Sequence, residues 1–101
     1  MGDGAMTNEE KNNALFVSLL LMFHSAAMQS LGKLKNPATD KIERNLEQAQ
    51  SMIDMFDMLK VKTNGNLTPE EDKFLSNLAQ ELKLNYVDEA SKSQTAGEES
   101  K

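Results

Sequence analysis

The sequence has no cysteine, no tryptophan, two prolines and a single histidine among its 101 residues. Without cysteine there is neither a disulfide framework nor a thiolate metal site. The absence is compatible with a reducing cytoplasm, where we expect the protein to reside. One histidine, His24, leaves no second imidazole to complete a zinc site. Aromatic residues are also scarce, five in all: Phe16, Phe23, Phe56, Phe74 and Tyr86. Basic residues are outnumbered, with 11 Lys and Arg against 16 Asp and Glu, for a formal charge of −5. That balance excludes nonspecific binding to nucleic acid or anionic lipid, where a basic surface supplies most of the affinity. No catalytic, metal or nucleotide motif is recognisable, so no enzyme activity and no cofactor are expected.

What the sequence does contain is one long uncharged stretch, Ala14 to Leu31. On a helix its polar residues Ser18, Ser25 and Gln29 form a narrow stripe, continued backwards by Lys11. Its apolar residues divide into two stripes. One carries Leu15, Phe16, Leu19, Phe23 and Ala26. The other carries Val17, Leu20, Leu21, His24, Met28 and Leu31 at spacings of 3 and 4. A surface helix needs one such stripe, so two require cover from both sides. A membrane span needs roughly 20 predominantly apolar residues, and the uninterrupted run Ala14 to Phe23 is about half that. A signal peptide requires a basic lead, whereas Asp3, Glu9 and Glu10 precede the run against Lys11 alone. Gly2 does not form a myristoylation motif, because Met6 stands where Ser or Thr is required.

In chain order, residues 1–7 read as a flexible lead. Thr7 and Glu10 form a capping box that opens a helix over 8–31, and Gly32 closes it. After a connector containing Asn36-Pro37, Asp40 and Glu43 repeat the capping pattern and predict a second helix over 40–62. Its apolar stripe runs Ile42, Leu46, Ala49, Ile53, Phe56, widened by Met52, Met55, Met58 and Leu59. The methionines read as adaptable core filler. Gly65 within Thr63-Asn64-Gly65-Asn66 ends that helix, and Thr68-Pro69-Glu70-Glu71 starts a third over 69–87. That helix carries Phe74, Leu75, Leu78, Ala79, Leu82 and Tyr86 on one side. Residues 88–101 lack apolar periodicity and are expected to be disordered.

Three local patterns point weakly to chemistry. His24 reads as a core or interface histidine, with a pH-sensitive contact as the functional variant. Asp54 and Asp57 are three apart on one helix and read as a solvated face rather than an acid–base pair. Asn64-Gly65-Asn66 resembles an anion nest, but turn and capping duty account for each of its residues.

Several segments carry a resemblance: Ser30-Leu31-Gly32 before a Pro-containing connector, then Asn45-Leu46-Glu47-Gln48-Ala49, Ile53-Asp54 and above all Lys62 to Glu71. Over about Leu15 to Val87 the sequence resembles a bacterial family of small proteins known only as domain of unknown function 1844. The resemblance implies a small helical protein and implies no activity, ligand or partner.

The expected fold is all-α, a three-helix antiparallel bundle or a helical hairpin plus a third helix, with the first helix central and the fold completed by dimerisation. The expected function is a non-enzymatic homodimeric interaction or structural module, with an unknown protein partner as a further possibility. The interface is assigned to Val17, Leu20, Leu21, His24, Met28 and Leu31, the stripe left over once two neighbours cover the first helix. Two other functions compete: a peripheral membrane protein using the first helix, and a small-molecule binder with a Met-lined pocket between the first two helices.

Overall fold

The computed structural model describes the backbone of residues 7–99 and the side chains of residues 7–92. Three helices occupy most of it: α1 Asn8–Ser30, α2 Leu46–Lys62 and α3 Pro69–Glu99. Among the described residues there is no strand, only an isolated bridge between Asn36 and Lys41. The fold is an all-α three-helix bundle. Of the expected flexible lead, residues 1–6 lie outside the described residues; Thr7 is already the cap of α1.

The helix starts follow local chemistry. Thr7 Oγ1 accepts from the Glu10 N–H at 3.1 Å, while Glu10 Oε1 accepts from the Thr7 N–H at 2.9 Å. Thr68 and Glu71 repeat this reciprocal pair at 3.1 and 3.0 Å before α3. Each pair satisfies two backbone donors that a helix start leaves free. At the far end of α1, Gly32 takes φ +81°; its N–H reaches the Gln29 carbonyl, and the Lys33 N–H reaches that of Met28. This is the glycine-dependent closure in which two last-turn carbonyls find donors.

The second helix starts six residues later than the 40–62 reading. Asp40 sits at φ +57° inside a tight loop, where its N–H meets the Asn36 carbonyl at 2.6 Å. The cap is Asn45, whose side chain accepts from the Gln48 N–H at 3.0 Å. The Asn45 N–H is held by the Ser30 carbonyl at 2.7 Å, pinning the start of α2 to the end of α1. The Asp40/Glu43 spacing imitated a capping box, but the loop held by Asn36 had first claim on that backbone. Ile42, counted in the core stripe, is consequently 54% exposed.

The third helix runs further than the 69–87 reading. It continues past Val87 to Glu99, and the Glu89 side chain is buried against the connector. Of residues 88–101, expected to be disordered, 88–99 are helical in the structure and 100–101 lie outside the described residues.

The core gathers Leu20, Ala27 and Leu31 with Ala49, Met52, Ile53 and Phe56, and with Leu75, Leu78, Ala79 and Leu82. Cross-contacts fix the directions. Asn13 lies by Glu71, Val17 by Phe74, His24 by Glu81 and Lys33 by Asp88, so α1 and α3 run parallel. Arg44 meets Glu89 and Asp57 meets Lys83, so α2 runs against α3. The expected central place of α1 is not observed. α2 and α3 pack most extensively on each other, and α1 covers one side of the pair.

Candidate functional site

The core-facing side of α1 lies between the two stripes read from sequence. Leu20, Ala27 and Leu31 are fully buried, with Phe16 and Phe23 packed beside them. A helix resting on two neighbours buries a single arc, and here that arc takes residues from both stripes. The interface assigned to Val17, Leu20, Leu21, His24, Met28 and Leu31 is thereby corrected. Leu20 and Leu31 are at 0% exposure and reach no outside partner. Val17 sits beside Phe74, Met28 packs on the core and His24 Nε2 lies 3.2 Å from Glu81 Oε1. Only Leu21 of the six is an exposed apolar residue, at 49%.

The surface left uncovered is the opposite side of α1. Leu15 is 56% exposed and Met22 69%, with Leu19 beside them at 39%. Lys11, Leu15, Ser18, Met22, Ser25 and Gln29 follow one another at spacings of 4, 3, 4, 3 and 4, which keeps them in a line along the outer side. No Asp, Glu, Lys or Arg occurs between Lys11 and Lys33. Charge is confined to the two ends: Glu9, Glu10 and Lys11 at the start of the helix, Lys33 and Lys35 just beyond its last turn.

A second polar assembly closes the other side of that end. Glu89 accepts from Lys33 Nζ at 2.7 Å, from Lys92 Nζ at 3.0 Å and from Arg44 Nη1 at 3.0 Å, with its side chain 9% exposed. Lys33 above all, then Lys92 and Arg44, hold its carboxyl at about 2, against an ordinary 4.5. Asp88 is also lowered, by its bonds from Lys33 and then Lys92, and Lys33 is raised by Glu89 and Asp88. The group ties the connector to α3. Its members were legible only singly, because Glu89 lay in a segment read as a tail.

The remaining sequence candidates take structural roles. Asp57 pairs with Lys83 at 2.8 Å and Asp54 accepts from Gln50 at 2.9 Å, so the two carboxylates serve separate partners. Asn64 and Asn66 donate to the Val61 and Thr63 carbonyls within the turn. Among the described residues no three His, Asp or Glu converge as metal ligands. The cleft between α1 and α2 holds about 340 Å³ and is polar, lined by Gln29, Ser30, Asn36, Glu43, Arg44 and Gln48 among others, with no methionine. Of the methionines read as core filler, Met52 is buried, whereas Met22, Met55 and Met58 are exposed.

Residues 13–89 match the family model described as Domain of unknown function (DUF1844). The match ends at Glu89, the carboxylate on which the three cations converge. No curated protein and no solved structure matches the chain.

Proposed function

The chain belongs to the DUF1844 family, whose description carries no activity, and we propose that the protein is a non-enzymatic interaction module that works as a homodimer through the outer side of α1. The observation that carries the proposal is the exposure of Leu15, Leu19, Leu21 and Met22 on a helix without charge between Lys11 and Lys33. Single exposed apolar residues are ordinary, but several of them on one uncharged stretch of helix, Asn12 to Ser30, support an association surface. Two-fold pairing covers such a strip with its own copy and leaves no open end. A cytoplasmic location belongs to the same proposal.

One observation favours a second reading. α1 is long and apolar enough to cross a membrane, with 17% of its most apolar window buried. Crossing would require α1 to leave Phe56 and Leu82 and to carry Ser18, His24, Ser25 and Gln29 into lipid. Lying on a membrane surface would call for a basic polar face, and this chain is acidic. Light scattering of the purified chain together with flotation on anionic vesicles separates the readings. A two-chain mass without flotation supports pairing; a single-chain mass with flotation supports the membrane.

A further inference from the structure

The turn between α2 and α3 sets Asn64 directly ahead of Gly65, and both residues are exposed. The Asn66 N–H donates to the Thr63 carbonyl at 2.8 Å, closing a four-residue turn in which Gly65 takes φ +86°. That bond leaves the central peptide, between Asn64 and Gly65, outside the bonding of the turn. The Gly65 N–H meets no acceptor among the described residues, and the Asn64 carboxamide is equally unbound. A methyl group placed on Gly65 would touch nothing within 4 Å, so the space around this nitrogen is open. A backbone nitrogen and a carboxamide carbon are thus one covalent step from a five-membered ring. Neither is held in place, and glycine has no Cβ to shield the nitrogen.

We infer that Asn64 is a self-modification site, at which the Gly65 backbone nitrogen attacks Asn64 Cγ. The nitrogen gives its proton to water as the new N–Cγ bond forms. The Cγ–Nδ2 bond breaks, and Nδ2 leaves as ammonia with a proton from water, so a succinimide remains. Water then opens the ring at one of its two carbonyls. Cleavage of the N–Cγ bond leaves an aspartate at position 64, and cleavage of the original main-chain bond leaves an isoaspartate. The other asparagines lack this combination. Asn36 precedes Pro37, which has no N–H. Asn13, Asn77 and Asn85 stand inside helices, where the next N–H is held by the backbone ladder. Asn45 commits its side chain to Gln48 as the α2 cap. Asn66 is followed by Leu67, whose side chain packs against the core.

Either product adds one negative charge to the formal −5 of the chain. The charge arrives one residue beyond Thr63, the cap of α2, at a helix end that favours cations. Lys60 and Lys62 in the last turn of α2 offset part of that cost. Isoaspartate also lengthens the main chain by one methylene, inside a turn closed by the short Asn66–Thr63 bond. The modified chain is therefore a separable, more acidic form with a loosened junction between α2 and α3.

The full-length protein is incubated in mildly alkaline buffer at physiological temperature, beside a synthetic peptide of residues 63–73. Trypsin cuts after Lys62 and Lys73 and releases the same segment from the protein, carrying both Asn64 and Asn66. Fragmentation in the mass spectrometer locates the gained mass unit and tells isoaspartate from aspartate. Conversion at Asn64 is expected within roughly tenfold of the rate in the free peptide, because an exposed turn needs little local opening. Isoaspartate and aspartate should appear together, with Asn66 unchanged in the same fragment. Asn64→Gln would have to close a less favourable six-membered ring, so it should acquire no acidic form on ion exchange while keeping the helicity of the parent. An Asn64 that stays intact while the peptide converts overturns the inference. So does aspartate without isoaspartate, conversion of Asn66 as fast as Asn64, or an acidic form that persists in Asn64→Gln.

Discussion

Replacing Glu89 by glutamine tests the cluster that fastens α3 to the connector. The substitution keeps the size of the side chain and removes the charge shared by Lys33, Arg44 and Lys92. The fall of the Glu89 carboxyl from 4.5 to about 2 is equivalent to about 3 kcal/mol of preference for the charged form in the folded state. That figure is an upper bound. The cover over Glu89 consists largely of its own flexible cationic partners, and ion pairs of that kind contribute far less than deeply enclosed ones. A loss of about 1–2 kcal/mol at neutral pH is expected, or roughly 5–10 °C in the thermal midpoint of a domain this size. Because the folded-state value is depressed, the stabilisation is complete above about pH 5 and disappears as pH falls towards 2. Helicity followed through urea melts at a series of pH values gives both quantities for the parent and the variant. The two curves should lie apart at neutral pH and converge in acid. A gap that is absent at pH 7, or that does not change with pH, refutes the cluster as drawn.

Three further outcomes follow from the packing and the caps. Thr68→Ala removes one half of the reciprocal pair before α3 and should cost about 1 kcal/mol in a urea melt. Gly32→Ala meets both a φ of +81° and the Arg44 side chain at 3.2 Å, so a loss of about 1 kcal/mol or more is expected. A neutral result would mean that the α1 terminus can close differently. Leu20→Glu places a charge at a position with no exposure, and circular dichroism should show general loss of helix rather than an intact monomer.

The helix starts governed by Thr7 and Thr68 were legible in the sequence because each depends on four consecutive residues. The start of α2 was misread for the same reason. Asp40 and Glu43 satisfy the local pattern, while the decisive bonds, Asn45 to Ser30 and Asp40 to Asn36, belong to the connector as a whole. The face of α1 was harder still. Its residues are apolar nearly all round, so periodicity gives no single direction, and the choice is made by the two helices on which it rests. The seam they select passes between the two stripes, through Phe16, Leu20, Phe23 and Ala27, and turns Leu15 and Met22 outward. Glu89 was missed because apolar periodicity does not register a carboxylate buried by charged partners. The repeated acid–base spacing of Asp88 and Glu89 to Lys92 was the available signal.

The most direct test of the central claim is sedimentation equilibrium of the unmodified chain and of Met22→Glu, at concentrations up to roughly 100 µM, which populate a pairing in the micromolar range. Met22 is 69% exposed, so its replacement leaves the core untouched. The account predicts a mass rising with concentration towards twice the 11.2 kDa of one chain. Met22→Glu should stay at a single-chain mass while keeping its helicity. An unmodified protein that remains at one chain mass throughout, or a Met22→Glu variant that associates as well as the parent, contradicts it.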